Sequence, residues 1–229
     1  MSFNQPSQPI APFQLLGDSL SQVAPVYVPL LIIASPALLI NIAQNVLPIG
    51  VSSVLTLGYS VGVLPILTGT SIYFIYRYLK QGTADLSGAV NKALSQSGQL
   101  ILGNFLYVLA VIVGFICLIL PGIYLSVRWG FLLYAIVSQN CSAIDGFKYS
   151  SELVKGRWWR VFGSMLAIIP ILLPVMFIAG IAGAIFARQP LIMAIISSIV
   201  GILAAPPIGM YYVKLFMRLQ ETANVPESV

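Results

Sequence analysis

Apolar stretches, each close to the about 20 residues that a membrane-crossing helix needs, alternate along this chain with short polar pieces. The first covers 23–44 and carries Pro25, Pro29 and Pro36, which a spanning helix tolerates when neighbouring groups take up the freed carbonyls. An uncharged turn at 45–53 leads to a second stretch, 54–76. It ends among Tyr73, Phe74, Tyr76, Arg77, Tyr78 and Lys80, the mixture of aromatic and basic residues that marks a water boundary. A third stretch, 98–120, meets a sharp turn at Pro121 and Gly122 and gives way to a fourth, 123–139. The fifth and sixth cover 158–187 and 191–217. This pattern predicts an all-α polytopic bundle of six spanning helices, a single transmembrane domain over 23–217. A tail with an amphipathic segment precedes it at 1–22, and a polar tail follows at 218–229.

Three shorter segments, 10–22, 83–97 and 142–156, have apolar residues at helical spacing on one face only, as expected of helices lying at a membrane surface. In the second, Leu86, Val90, Ala93 and Leu94 recur in this way. The third opens on Ser142 and Asp145, spaced as a capping box. Its Ile144, Phe147, Ser151 and Val154, with Trp158, fall on one face, and Lys148, Glu152 and Lys155 on the other. Each segment precedes a pair of spans, so a threefold repeat of interfacial helix plus hairpin is expected; Leu-Ser-Gln recurs at 20–22 and 94–96.

Composition agrees: 59% of the 229 residues are hydrophobic and 7% charged, against roughly 25% charged in soluble domains. The first 22 residues lack Lys and Arg, and so lack the basic start of a cleaved signal peptide. Cys117 and Cys141 stand apart from any metal or redox spacing and read as small packing residues. The chain has no histidine, which removes the commonest general base and the usual zinc ligand sets. Asp18, Asp85, Asp145, Glu152, Glu221 and Glu227 all lie outside the spans, which argues against proton coupling through an intramembrane acid. No metal or cofactor is expected, and no catalysis.

Charge supplies an orientation. Arg77, Lys80, Lys92, Lys148, Lys155, Arg157, Arg160, Lys214 and Arg218, nine of the eleven basic residues, fall on one side of the six-span layout, and Arg188 falls on the other. The positive-inside rule makes that side, with both termini, cytoplasmic. The formal charge of +5 points to anionic lipid head groups as partners and not to nucleic acid, because the basic residues flank spans and form no extended patch.

Arg128 stands out. Counted from the Pro121–Gly122 turn at about 1.5 Å per residue, it lies roughly 10 Å into the membrane with no acidic residue in any span to pair with it. It can hydrogen-bond freed carbonyls, reach for the interface beside Trp129, or bind an anion such as a lipid phosphate. Lys155, Arg157 and Arg160, interleaved with Trp158 and Trp159, are further candidates for phosphate contact. Trp129, Trp158, Trp159, Tyr76 and Tyr78 are expected as interfacial anchors, and Gly58 with Gly62 and Ala179 with Gly183 as small-residue pairs for helix packing.

The run from Leu120 to Trp129 (LPGIYLSVRW), with Ala135, Ser150, Glu152, Leu153, Val154, Gly156, Trp158, Trp159, Arg160, Val161 and Phe162, resembles a bacterial family of multi-spanning proteins. That family is named for the membrane domain of glycerophosphoryl diester phosphodiesterase. The resemblance is strongest over 120–163. It implies a multi-pass protein of a bacterial plasma or internal membrane. It implies no phosphodiesterase activity, because the chain carries no such domain; and Gln139 and Asn140 stand where the family commonly has an acidic residue. The function expected is non-enzymatic: an integral membrane protein that interacts with anionic lipids or other membrane proteins. A small transporter or channel is the alternative.

Overall fold

The computed structural model describes residues 11–186 and 188–223; the N-terminal tail at 1–10 and the end of the C-terminal tail lie outside them. Among the described residues the secondary structure is helical, and six helices or helix pairs are long and apolar enough to cross a membrane. The chain is a multi-pass α-helical membrane protein.

Helix α1 (Pro12–Gln22) packs on the end of the last helix, and the first span follows as α2 (Ala24–Ala34) and α3 (Pro36–Val46). They break at Ser35 because Pro36 has no N–H to give. The second span starts earlier than expected, with α4 (Ile49–Gly58), a π-helical turn (Tyr59–Val63) and α5 (Leu64–Gln81). Pro65 explains the π turn: it withholds the amide that would bond the Val61 carbonyl, and the Leu64 amide reaches back five residues to Tyr59. Helix α6 (Leu86–Ser95), capped by the Asp85 carboxylate on the amides of Ser87 and Gly88, folds back on α5.

The third span is α7 (Ser97–Cys117), and the fourth is α8 (Ile119–Arg128) with α9 (Leu132–Gln139). The turn between these spans falls at Leu118, in extended conformation, and not at Pro121 and Gly122. Pro121 sits in the first turn of α8, where the absent N–H has no helical partner to lose. A Cβ on Gly122 would lie 2.5 Å from the Phe115 ring, so this glycine serves the close hairpin. Arg128 is consequently about 15 Å from the tip by helical rise.

Helix α10 (Ala143–Val154) follows, with α11 (Trp158–Leu166) and α12 (Ile169–Phe186) forming the fifth span. The Ser142 hydroxyl accepts from the Asp145 amide at 3.2 Å and donates to the Asp145 carboxylate at 2.7 Å, so the expected cap is present. The buried face of α10 is Ala143, Gly146, Ser150, Leu153 and Val154; Ile144, expected on it, is 63% exposed. Two small residues, Gly146 and Ser150, let α10 press against α9 and turn that face inward.

The last span, α13 (Pro190–Ala223), contains Pro206 and Pro207 and continues past the expected tail boundary. Beyond 218, Gln220 donates to the Tyr149 hydroxyl at 2.7 Å and Thr222 accepts from Arg157 at 2.7 Å, so the start of that tail is packed helix. At about 1.5 Å per residue the 34 residues of α13 reach about 51 Å, well beyond a hydrocarbon core of about 30 Å. Its polar end therefore projects into the charged layer with α1, α6 and α10.

Interfacial helix and hairpin recur in order three times, with α1, α6 and α10 each leading into a pair of spans. Chain breaks inside this bundle are closed by hydroxyls from neighbouring helices. Tyr27 donates to the Leu203 carbonyl at 2.6 Å, the acceptor that Pro207 leaves free, and Tyr211 donates to Ser164 beside the α11–α12 break.

Candidate functional site

Helix α8 ends at Arg128, and residues Trp129 to Phe131 leave helical geometry before α9 begins. A Cβ on Gly130 would meet Met165 Cε and the Ser126 carbonyl oxygen, each at 2.9 Å, so only glycine fits this break. Ser150 of α10, fully buried, spans it by donating to the Arg128 carbonyl at 2.9 Å and accepting from the Phe131 amide at 3.3 Å. The next residue, Ser151, accepts from both Arg128 Nε at 3.2 Å and Trp129 Nε1 at 3.0 Å. Two adjacent serines on one helix thus hold both the backbone and the side chains of the break.

The half-buried Arg128 guanidinium extends from there over the Tyr124 ring, 5.8 Å from its centroid, and Nη1 donates to the Tyr124 hydroxyl at 3.3 Å. The Tyr124 ring stacks on Trp158 at 6.0 Å and Trp158 stacks on Phe162 at 5.1 Å. Trp158 Nε1 also donates to the Tyr124 carbonyl at 3.3 Å. An aromatic wall therefore fixes one face of the guanidinium. Every partner of Arg128 among the described residues is neutral, and part of its donor fork is uncommitted.

The other basic candidates divide. Arg157 is occupied, donating from both terminal nitrogens to Thr222 at 2.7 and 3.3 Å and so tying α13 to the start of α11. Lys155 faces Glu152 at 3.4 Å in an exposed pair of the kind that contributes little. Arg160 is exposed on α11, with no side-chain partner among the described residues. The structure brings Arg128 and Trp158 together through Tyr124; Arg157 belongs to a different contact.

Of the expected anchors, Trp159 is 78% exposed, Trp129 packs edge-on against Phe147 at 5.1 Å, and Trp158 is in the stack. Tyr76 is only 8% exposed, a core residue with Lys80 over its ring, and Tyr78 packs against the same core. Tyr76 is buried and not at the surface expected of it, because α5 outlasts its apolar stretch and its end joins the core cluster. A Cβ at Gly58 or Gly62 would meet nothing within 4 Å, so these glycines mark no close helix contact within the chain; they flank and occupy the π turn. Gly183 would only touch Met193, at 3.6 Å, and Ala179 is half-buried between exposed Ile178 and Gly180.

The hydrogen-bonding roles of Tyr124, Ser150 and the pair Gln96 and Asn140 were not expected from the sequence. Asn140, at a positive φ of 55°, accepts from Lys92 Nζ at 2.8 Å and from Gln96 Nε2 at 2.6 Å. This polar knot ties the α6–α7 junction to the α9–α10 turn. An asparagine followed by Cys-Ser is a turn signal that could have marked the left-handed residue. Among the described residues no cluster of His, Cys, Asp or Glu could hold a metal ion.

No protein-family model, curated protein or solved structure matches the chain.

Proposed function

We propose that this chain is a non-enzymatic membrane protein that engages the phosphate of an anionic lipid through Arg128, with the exposed Arg160 as a second basic contact and Trp158 and Trp159 holding the level. The supporting observation is the set of neutral partners around Arg128. A guanidinium at a membrane-embedded helix break is costly unless paired, and here hydroxyls and a tyrosine ring orient it without neutralising it. A phosphate oxygen supplies the missing charge and suits the planar fork. In this reading the basic end of the bundle faces the cytoplasm of a bacterial cell, next to the anionic leaflet.

Lipid extracted from purified wild-type protein and from Arg128→Ala tests the proposal. Enrichment of anionic lipid on the wild type and its loss from the variant are expected; equal retention by both counts against the site. The alternative, a small transporter or channel, draws on a cleft among spans one, two and six with polar residues in its lining. It requires a continuous polar path, and solute flux into liposomes that depends on the protein would favour it.

A further inference from the structure

The cleft lies where α3, the π turn with α5, and α13 diverge. Its volume is about 450 Å³, within the range of small-molecule sites, and no charged residue lines it. Three irregularities of the backbone converge on this place. The π turn at Tyr59–Val63 sits against it, Pro65 follows that turn, and Pro206 withholds the amide that would otherwise bond the carbonyl of Ile202, one of the lining residues.

The hydrogen-bonding state of the lining is asymmetric. Thr68 and Ser71 each donate to the carbonyl four residues back, at 2.8 and 3.1 Å, and Ser197 and Ser198 do the same at 2.8 and 2.6 Å. Asn41 donates one of its two amide hydrogens to the Ala37 carbonyl at 2.9 Å. The four hydroxyls keep lone pairs and have each committed their one donor, whereas the Asn41 amide keeps one N–H. Tyr59 differs, because its hydroxyl has no hydrogen-bond partner among the described residues and can both give and accept.

We infer that the cleft binds an uncharged lipid carrying a hydroxyl group. A hydroxyl donates to the oxygen-rich lining and accepts from Tyr59, and a hydrocarbon chain fills the apolar remainder. A charged head group is disfavoured, because no residue of opposite charge is present to offset its desolvation. This site is separate from Arg128 and stands whether or not the phosphate reading holds.

The test uses full-length protein in lipid nanodiscs, labelled with a long-chain alcohol bearing a diazirine in its chain and, in parallel, with the methyl ether of the same probe. Crosslinks are mapped by mass spectrometry. Labels from the alcohol are expected on the cleft-lining segments of α3, α5 and α13, with the ether about 2- to 10-fold weaker, the factor that one hydrogen bond supplies. Tyr59→Phe should weaken labelling by both probes alike, because the ether oxygen also accepts from the phenol. Gly201→Leu should remove cleft labelling altogether; a Cβ there meets nothing within 4 Å, so the side chain grows into open space and the fold is kept. Equal labelling by alcohol and ether overturns the hydroxyl requirement, and labelling that survives Gly201→Leu overturns the site. Thermal stabilisation by sodium ions in lipid-free detergent, lost in Ser198→Ala, would replace the lipid with a cation and overturn the inference.

Discussion

Two ends of one helix are packed to different standards. Toward the C-terminus of α13, Tyr211, Leu215, Phe216 and Leu219 are fully buried, whereas Leu191, Ile199 and Leu203 nearer its start are exposed. The rest of the molecule follows the same division. The large buried side chains gather where the charged ends of α5 and α13 meet α1, α9 and α10, and the exposed ones line α3, α4, α7 and α12. Water accounts for the difference. Where the bundle projects from the bilayer, apolar area must be covered by protein, at roughly 25 cal/mol per Å². In hydrocarbon the lipid covers it equally well, and helices associate through close contact and hydrogen bonds.

That contrast can be broken by substitution, with thermal or denaturant unfolding in mild detergent as the measurement. Phe216→Ala, in the buried cluster with Phe131, Tyr134 and Tyr149, should cost about 3–5 kcal/mol. Phe177→Ala, at a residue 70% exposed on α12, should change stability little; similar losses for the two would dissolve the distinction. Gly146→Leu should cost about 2 kcal/mol by overpacking, because even a Cβ lies 2.8 Å from Leu132 Cδ1 and 3.1 Å from Ile136 Cγ1. Gly180→Leu, into open space, should be tolerated.

Ser150→Ala leaves the Arg128 carbonyl and the Phe131 amide without their partner and should cost about 1 kcal/mol, with greater hydrogen exchange at the α8–α9 break. The smallest effect concerns pH. Hydrogen bonds from Ser142 and then Lys148 hold the Asp145 carboxyl below its ordinary range. Its contribution is therefore complete above the unfolded-state value and fades as pH falls through the lower folded-state value. Fraying of the first turn of α10, read by amide exchange, is expected only in acid, and Asp145→Asn should remove that pH dependence.

What the sequence made legible follows the same division. Six spans, the three amphipathic helices and the Ser142 cap could be read directly, since apolar length and helical spacing are local signals. Close contacts could not. Gly58 and Gly62 have the spacing of a packing pair and face open space, while Gly69, Gly103 and Gly146, which do allow close approach, meet side chains of other helices, Gly69 meeting Leu100 and the other two Leu132 and Ile136. Arg128 was conspicuous because charge in a span is rare. Its supports were invisible, because Ser150 and Ser151 acquire their meaning only when α10 folds back along α9 and meets the break after Arg128. Tyr76 misled for a similar reason: its neighbours Arg77 and Lys80 suggested a surface, but its own side chain lies in the core cluster that distant helices complete.

The phosphate role of Arg128 is tested most directly by native mass spectrometry of protein released from micelles containing equal phosphatidylglycerol and phosphatidylcholine, comparing wild type, Arg128→Gln and Arg188→Gln. We predict preferential retention of phosphatidylglycerol by the wild type and Arg188→Gln, reduced about tenfold or more in Arg128→Gln, as for a lost charged hydrogen bond. An unchanged preference in Arg128→Gln, with the fold intact, would contradict the account.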